Sequence, residues 1–213
     1  MHPPADRLPR FGKTERLVHR STAVLVAVLF VSGLTLYYEP LAVLVSRRAL
    51  VESTHIAAGL LLPLPMLFGL LTSPELRGDV STLGRMTRAD RSWLRRSDRR
   101  SAGLPVGKFN GGQKLAAATM AGAGLVLIGT GVLLLAPVRL DLPDGVREGA
   151  TVTHDLFTFA LLFLLAGHVW LAQRHPEARA AMRTGSVDRG YAEREHAAWA
   201  AEVAGRSGRS GNT

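Results

Sequence analysis

Four long apolar runs, separated by basic ones, organise this chain. No Lys or Arg stands between Arg20 and Arg47, between Arg48 and Arg77, between Lys114 and Arg139, or between Arg147 and Arg174. The 24 to 28 residues inside each gap are rich in Leu, Val, Ala, Phe and Gly. About 20 apolar residues suffice for a helix to cross a bilayer. Inside lipid every backbone N–H and C=O must be bonded within the chain, so runs of this length read as helices. The pattern predicts spans at about residues 15–38, 50–72, 113–137 and 149–173. Pro63 and Pro65 predict a bend in the second span. The expected fold class is an all-α membrane protein, a four-transmembrane-helix bundle occupying residues 1–203 as one membrane domain. The Gly/Ser-rich end of the chain, residues 204–213, is expected to be a disordered tail.

Composition alone conceals this organisation. Of 213 residues, 47% are hydrophobic and 20% charged, averages close to those of a soluble protein. The absence of cysteine excludes disulfides, thiol catalysis and iron–sulfur clusters ligated by this chain. A net charge of +9 raises nucleic acid as a partner, but the distribution of the charges argues against it. The 26 Lys and Arg residues sort as five before the first span, two between the first and second, ten between the second and third, two between the third and fourth, and seven after the fourth. By the positive-inside rule, the side with 22 faces the cytoplasm and the side with four faces outward. An even number of spans then places both termini in the cytoplasm, and the protein in a bacterial cytoplasmic (inner) membrane. The first span is too long for the apolar core of a cleaved signal peptide and is expected to be retained. The run RADRSWLRRSDRR between the second and third spans reads as a solvated or lipid-headgroup-binding basic segment, with a short surface helix around Trp93 as one form it can take.

Histidines carry the chemistry. His2, His175 and His196 fall outside the spans, whereas His19, His55, His154 and His168 lie at or inside span ends. Each one taken alone also fits an interfacial anchor or an interhelical hydrogen bond. As a set they form a pattern. Fourteen residues separate His154 from His168, which returns to within about 40° of the same helix face at about 21 Å along the axis. Chain direction gives each a partner at matching depth: His19 with His168 near the inner face, His55 with His154 near the outer face. Two imidazoles from facing helices can hold a haem iron from both sides, so two b-type haems are expected, one per pair. Closed six-coordinate iron suits electron transfer rather than haem catalysis. A bare metal ion would need ligands clustered at one point, and the two pairs lie a bilayer apart. Arg16, Arg20 and Lys114 lie near the inner pair and read either as haem-propionate partners or as topology signals. Gly33, Gly59, Gly69, Gly122, Gly124, Gly129, Gly131 and Gly167 in the spans permit close approach of a macrocycle or of another helix.

The chain resembles the cytochrome b (gamma) subunit of membrane-bound formate dehydrogenases, close to the di-haem cytochrome b of nickel–iron hydrogenases. The resemblance rests on ERLVHRSTAVLVAVLFVSGL at 15–34, ESTHIAAG at 52–59, GKFNGGQK at 107–114, GTGVLLL at 129–135 and the His154…Gly167–His168 arrangement, and it extends to about residue 200. It implies two haem b groups and a quinone site, for menaquinone or ubiquinone, beside the inner haem. Asn110, Gly111, Gly112 and Gln113 would contribute to that site, next to His168. The amides offer hydrogen-bond partners and Gly112 lets backbone N–H groups approach; Asn110 equally suits an N-cap before the third span. The implied protein is an electron-transfer subunit without a catalytic centre of its own, apart from quinone reduction. Its implied partners are an iron–sulfur (beta-like) subunit and a catalytic molybdenum, tungsten or nickel–iron subunit. The same scaffold also serves a hydrogenase or another molybdenum oxidoreductase. A cofactor-free membrane anchor or transporter and a haem-binding sensor are the readings from other classes.

Overall fold

A computed structural model describes residues 7–97, 104–135 and 143–210, with side chains as far as Arg206. His2, Arg99, Arg100, Arg139, the last two residues of the expected third span and positions 211–213 of the expected tail lie outside the described residues. Four apolar helical segments are long enough to cross a membrane: Lys13–Tyr37, Arg48–Thr72, Gly111–Leu135 and Asp144–Arg174. The elements in order are β1 (Arg7–Pro9), α1 (Lys13–Tyr37), α2 (Glu39–Val45), α3 (Arg48–Leu61), α4 (Leu64–Thr72), α5 (Pro74–Leu83), α6 (Arg88–Arg95), α7 (Gly111–Leu135), α8 (Asp144–Arg174), α9 (Pro176–Thr184), β2 (Ser186–Asp188), α10 (Arg189–Glu195) and α11 (Ala197–Ser210). The chain divides into two compact units, one of residues 17–73 and 120–166, the other of residues 1–16, 74–119 and 167–213.

The first, the membrane unit, has its polarity inverted relative to a soluble domain. Val31, Leu71, Leu125, Val152 and Phe163 are exposed, whereas Ser32, Thr35 and Thr130 are buried. In lipid the apolar surface needs no cover and the hydroxyls need partners, so the small polar residues turn inward. The second span is two helices, α3 and α4, because Pro63 and Pro65 lack the amide hydrogens a continuous helix needs. The chain crosses the break with Leu62 N–H bonding to the Gly59 carbonyl and resumes with Leu67 N–H bonding to the Pro63 carbonyl. The break comes about two turns beyond His55, which leaves the histidine on intact helix.

The second unit, the cap, is built around a conventional apolar core of Leu8, Ala181, Val187, Ala192, Trp199 and Ala200. β1 and β2 pair antiparallel, with Leu8 opposite Val187. Gly185 ends α9 at φ +94°, and its carbonyl accepts from the amides of both Arg10 and Phe11. A Cβ at Gly185 would stand 2.7 Å from the Phe11 carbonyl oxygen, so the conformation and the close approach both call for glycine. Asp188 caps α10 by accepting from Tyr191 N–H at 2.8 Å. α11 continues to Ser210, into the segment whose composition reads as disordered. Trp199 and Ala200 anchor its first turns in the core, and Glu202 and Arg206 pair one turn apart, so tertiary packing carries the helix past its weak final residues.

Candidate functional site: a paired-histidine centre in the membrane unit

His55 on α3 and His154 on α8 face each other in the membrane unit, their ring centres 6.3 Å apart and their planes at 66°. The two surroundings match. Ser32 Oγ on α1 lies 2.9 Å from His55 Nδ1, and Thr130 Oγ1 on α7 lies 2.8 Å from His154 Nδ1. The hydroxyls also stand 3.3 and 3.2 Å from the Leu29 and Leu127 carbonyls of their own helices. Glycine follows each hydroxyl. A Cβ on Gly33 would stand 3.3 Å from His55 Cε1, and one on Gly131 would stand 3.6 Å from His154 Cε1. Both rings therefore lie close against the helix that holds them, and among the described residues no group hydrogen-bonds either Nε2.

The spacing suits a metal centre between the rings. An imidazole nitrogen about 2.0 Å from a metal places its ring centre about 3.1 Å away, and two such rings on opposite sides stand about 6.2 Å centre to centre. The observed separation agrees. Among the described residues no group of three or more His, Asp or Glu side chains gathers at one point. The donor set is two imidazoles, which fits axial ligation of a haem iron.

His19 lies in the second turn of α1, in the membrane unit, and His168 lies near the end of α8, in the cap; both are exposed. The two residues thus belong to separate compact units. Arg16, in the cap, donates to the carbonyls of Gly12 and Arg183 at 3.1 and 3.0 Å. Arg20 is exposed on α1. Lys114 has a different environment. Its ammonium bonds Asp90 at 2.6 Å and the Arg85 carbonyl at 3.0 Å, with both side chains of the pair only 6% exposed. Burial disfavours the Asp90 carboxylate, but the hydrogen bonds from Lys114 and Thr87 outweigh it and hold its pKa below the usual range. Removing either partner of such a buried pair costs about 3–5 kcal/mol.

Asn110 and Gln113 form a reciprocal cap at the start of α7. Gln113 N–H donates to Asn110 Oδ1 at 2.9 Å, and Asn110 N–H donates to Gln113 Oε1 at 3.0 Å. The side-chain amide nitrogens are left over from that exchange. Gly111 and Gly112 admit α6: a Cβ on the first would strike the Asp90 carbonyl at 2.5 Å, and one on the second would strike the Trp93 ring at 2.8 Å. The basic run RADRSWLRR thus contains a docked helix. Thr87 and Asp90 close a capping box at its start, and Trp93 and Leu94 pack on the α7 N-terminus.

The cap also holds a cluster that the sequence pattern leaves unmarked. His196, 1% exposed, donates from Nδ1 to the Gly107 carbonyl at 2.8 Å and accepts at Nε2 from Arg10 Nη2 at 3.1 Å. Arg10 Nη2 also bonds the Lys108 carbonyl at 2.6 Å, and its guanidinium lies over the Trp199 and Phe11 rings. Burial and the Arg10 cation push His196 down to about 4. Lys108 pairs with Asp79 at 2.6 Å, and burial, acting against that pair, raises the Asp79 pKa. In the membrane unit, Ser32 and Thr130 are the contacts that reading the histidines alone misses. Their signal is a hydroxyl–glycine pair, Ser32–Gly33 and Thr130–Gly131, each on the span preceding its histidine.

A family model described as prokaryotic cytochrome b561 matches residues 10–185. No curated protein matches the chain significantly.

Proposed function

The chain belongs to the prokaryotic cytochrome b561 family, multi-pass membrane proteins that bind haem b and transfer electrons, and on that premise we propose that it is the electron-transfer subunit of a formate dehydrogenase-like complex, relaying electrons between an iron–sulfur partner and a quinone. The observation that carries the reading is the His55–His154 pair, spaced for an iron between the rings and with both Nδ1 atoms already engaged. A second pair, His19 and His168, would hold a second haem b toward the cytoplasm. Haem held between two imidazoles supplies reversible one-electron transfer at an iron with no open position.

Charge asymmetry supports cytoplasmic termini, with His55 and His154 toward the outer face where the iron–sulfur partner docks. The motif GKFNGGQK supports a quinone site. The Asn110 and Gln113 side-chain nitrogens are the donors left after capping, and they suit the carbonyl oxygens of a quinone. Arg16, Arg20 and Lys114 remain the three propionate candidates near the inner pair. The motifs favour formate dehydrogenase over the hydrogenase and other molybdenum assemblies, and co-purification with the catalytic subunit distinguishes them.

The first test is a haem count on detergent-purified protein by pyridine haemochrome. Two b haems per chain are expected. His168→Ala is expected to leave one haem and abolish quinone reduction, and two haems in that variant overturn the inner ligand assignment. Asn110→Asp keeps the cap oxygen and removes the amide nitrogen. It is expected to preserve stability and to lower quinone reductase activity about tenfold, the loss of one hydrogen bond; unchanged activity removes Asn110 from the quinone site.

A further inference from the structure

We propose that Ser32 and Thr130 are positioning residues that fix the tautomer of the iron-ligating histidines and set the reduction potential of the haem they hold. The inference rests on the reading of His55 and His154 as axial ligands, and it concerns what decides which ring nitrogen each presents.

Each hydroxyl has one proton and three nearby acceptors competing for it, two carbonyls of its own helix and a ring nitrogen. Ser32 Oγ stands 2.7 Å from the Val28 carbonyl of its own helix and 2.9 Å from His55 Nδ1. Thr130 Oγ1 stands 2.9 Å from the Val126 carbonyl and 2.8 Å from His154 Nδ1. Two oxygens at 2.7 Å with no hydrogen between them repel, and a carbonyl can only accept. The hydroxyl proton therefore goes to the carbonyl, and the hydroxyl oxygen accepts from the ring. Both imidazoles are thereby held as the Nδ1–H tautomer with the Nε2 lone pair presented for ligation. The Leu29 and Leu127 carbonyls, 3.3 and 3.2 Å from the same hydroxyls and acceptors only, act in the same direction.

Two features separate this from ordinary packing of hydroxyls in a membrane. Ser and Thr in membrane helices routinely bond back to the carbonyl one turn earlier, which satisfies the hydroxyl but orients nothing. Here each also receives a ring N–H, and the arrangement occurs twice, with Ser32 at 23 residues before His55 and Thr130 at 24 before His154. The hydroxyls are also 6% and 8% exposed, so water does not replace them. Chemically, an N–H donated to an oxygen makes the imidazole a better electron donor. That favours ferric over ferrous iron and lowers the potential. A chain of carbonyl, hydroxyl and imidazole polarises further than a single bond.

The test is a redox titration of the outer haem in Ser32→Ala, Thr130→Val and the double variant, with Ser32→Thr and Thr130→Ser as conservative controls. The removals are expected to move the midpoint potential positive, the double more than either single, while the exchanges leave it in place. A tenfold loss of ferric preference corresponds to about 59 mV for this one-electron couple. Loss of the outer haem alone, with the inner haem and the unfolding temperature unchanged, also supports the proposal, because outer contacts of this type carry 10–100-fold in metal affinity. In the haem-free protein, 15N spectra of the histidines are expected to show Nδ1–H in the wild type and a tautomer mixture in the double variant. Unchanged potential and full haem content in the double variant overturn the proposal. If His55→Ala and His154→Ala instead leave the haem count untouched, the ligand reading beneath it is what fails.

Discussion

His55, His154 and His196 all give the Nδ1 hydrogen to an oxygen, and they part company at Nε2. In the membrane unit the two rings stand 6.3 Å centre to centre, with their hydroxyl contacts at Nδ1. In the cap, Arg10 donates into the His196 Nε2. The same tautomer therefore serves two ends. With an N–H donor on its lone pair, an imidazole is a structural crosslink, joining Arg10, Gly107 and His196 across the chain. With its lone pair left open, it can serve as a ligand. Exposure alone does not separate the two, for the most buried of the described histidines is the one whose second nitrogen Arg10 already occupies. What separates them is whether a cation already sits at the second nitrogen.

Several experiments can break or sharpen this contrast. The largest effect is expected from His55→Ala or His154→Ala, each removing the outer haem completely in a haem count, whereas His196→Ala should retain every haem. The cost of His196→Ala should appear as stability. It removes the donor to the part-buried Gly107 carbonyl and one of the two acceptors of Arg10 Nη2, and a loss of about 1–3 kcal/mol is expected, read by thermal unfolding in detergent. Acid should imitate that variant. His196 has its folded-state pKa depressed to about 4, so the unfolded chain binds the proton first. The stabilisation is full above about pH 6.5 and is lost as pH falls toward about 4. Trp199 stands edge-on to the His196 ring at 6.4 Å, and its fluorescence is expected to report the transition, which His196→Ala abolishes. The smallest effect is expected from Thr87→Ala, which breaks the α6 capping box and touches none of these histidines. About 1 kcal/mol is expected from denaturant unfolding, with haem content and the acid transition unchanged.

Much of this was legible in the sequence, and the reasons it stops are physical. The spans declared themselves because lipid excludes charge, so gaps in the Lys and Arg pattern mark them. Three begin two residues before the expected start, and α8 begins five before it. Hydropathy marks where a helix meets lipid, while the backbone of α8 winds on through Asp144, Arg147 and Glu148. His55 and His154 were legible as partners because chain direction and helical rise fix depth. Ser32 and Thr130 were not, since hydroxyls in apolar spans are common and only a matched ring beside each gives them meaning. The cap escaped for another reason. Leu8 meets Val187 and Arg10 meets His196 across nearly the whole chain, and no local period encodes such a contact. Gly111 and Gly112 stood out as a motif, yet the neighbour that requires them, α6, sits in a stretch whose charge reads as solvent-facing.

The β1–β2 pairing has a consequence for how the protein is made. The partners Pro9 and Ser186 are separated by the whole of the membrane unit. At about 5–20 residues per second, synthesis needs roughly 10–35 s to travel from one strand to the other. For that interval β1 waits on the ribosome-bound chain with its edge unpaired, while His55 and then His154 have already emerged. Cofactor capture in the membrane unit can thus precede completion of the other unit's fold, whose strand pairing waits until Ser186–Asp188 have been made.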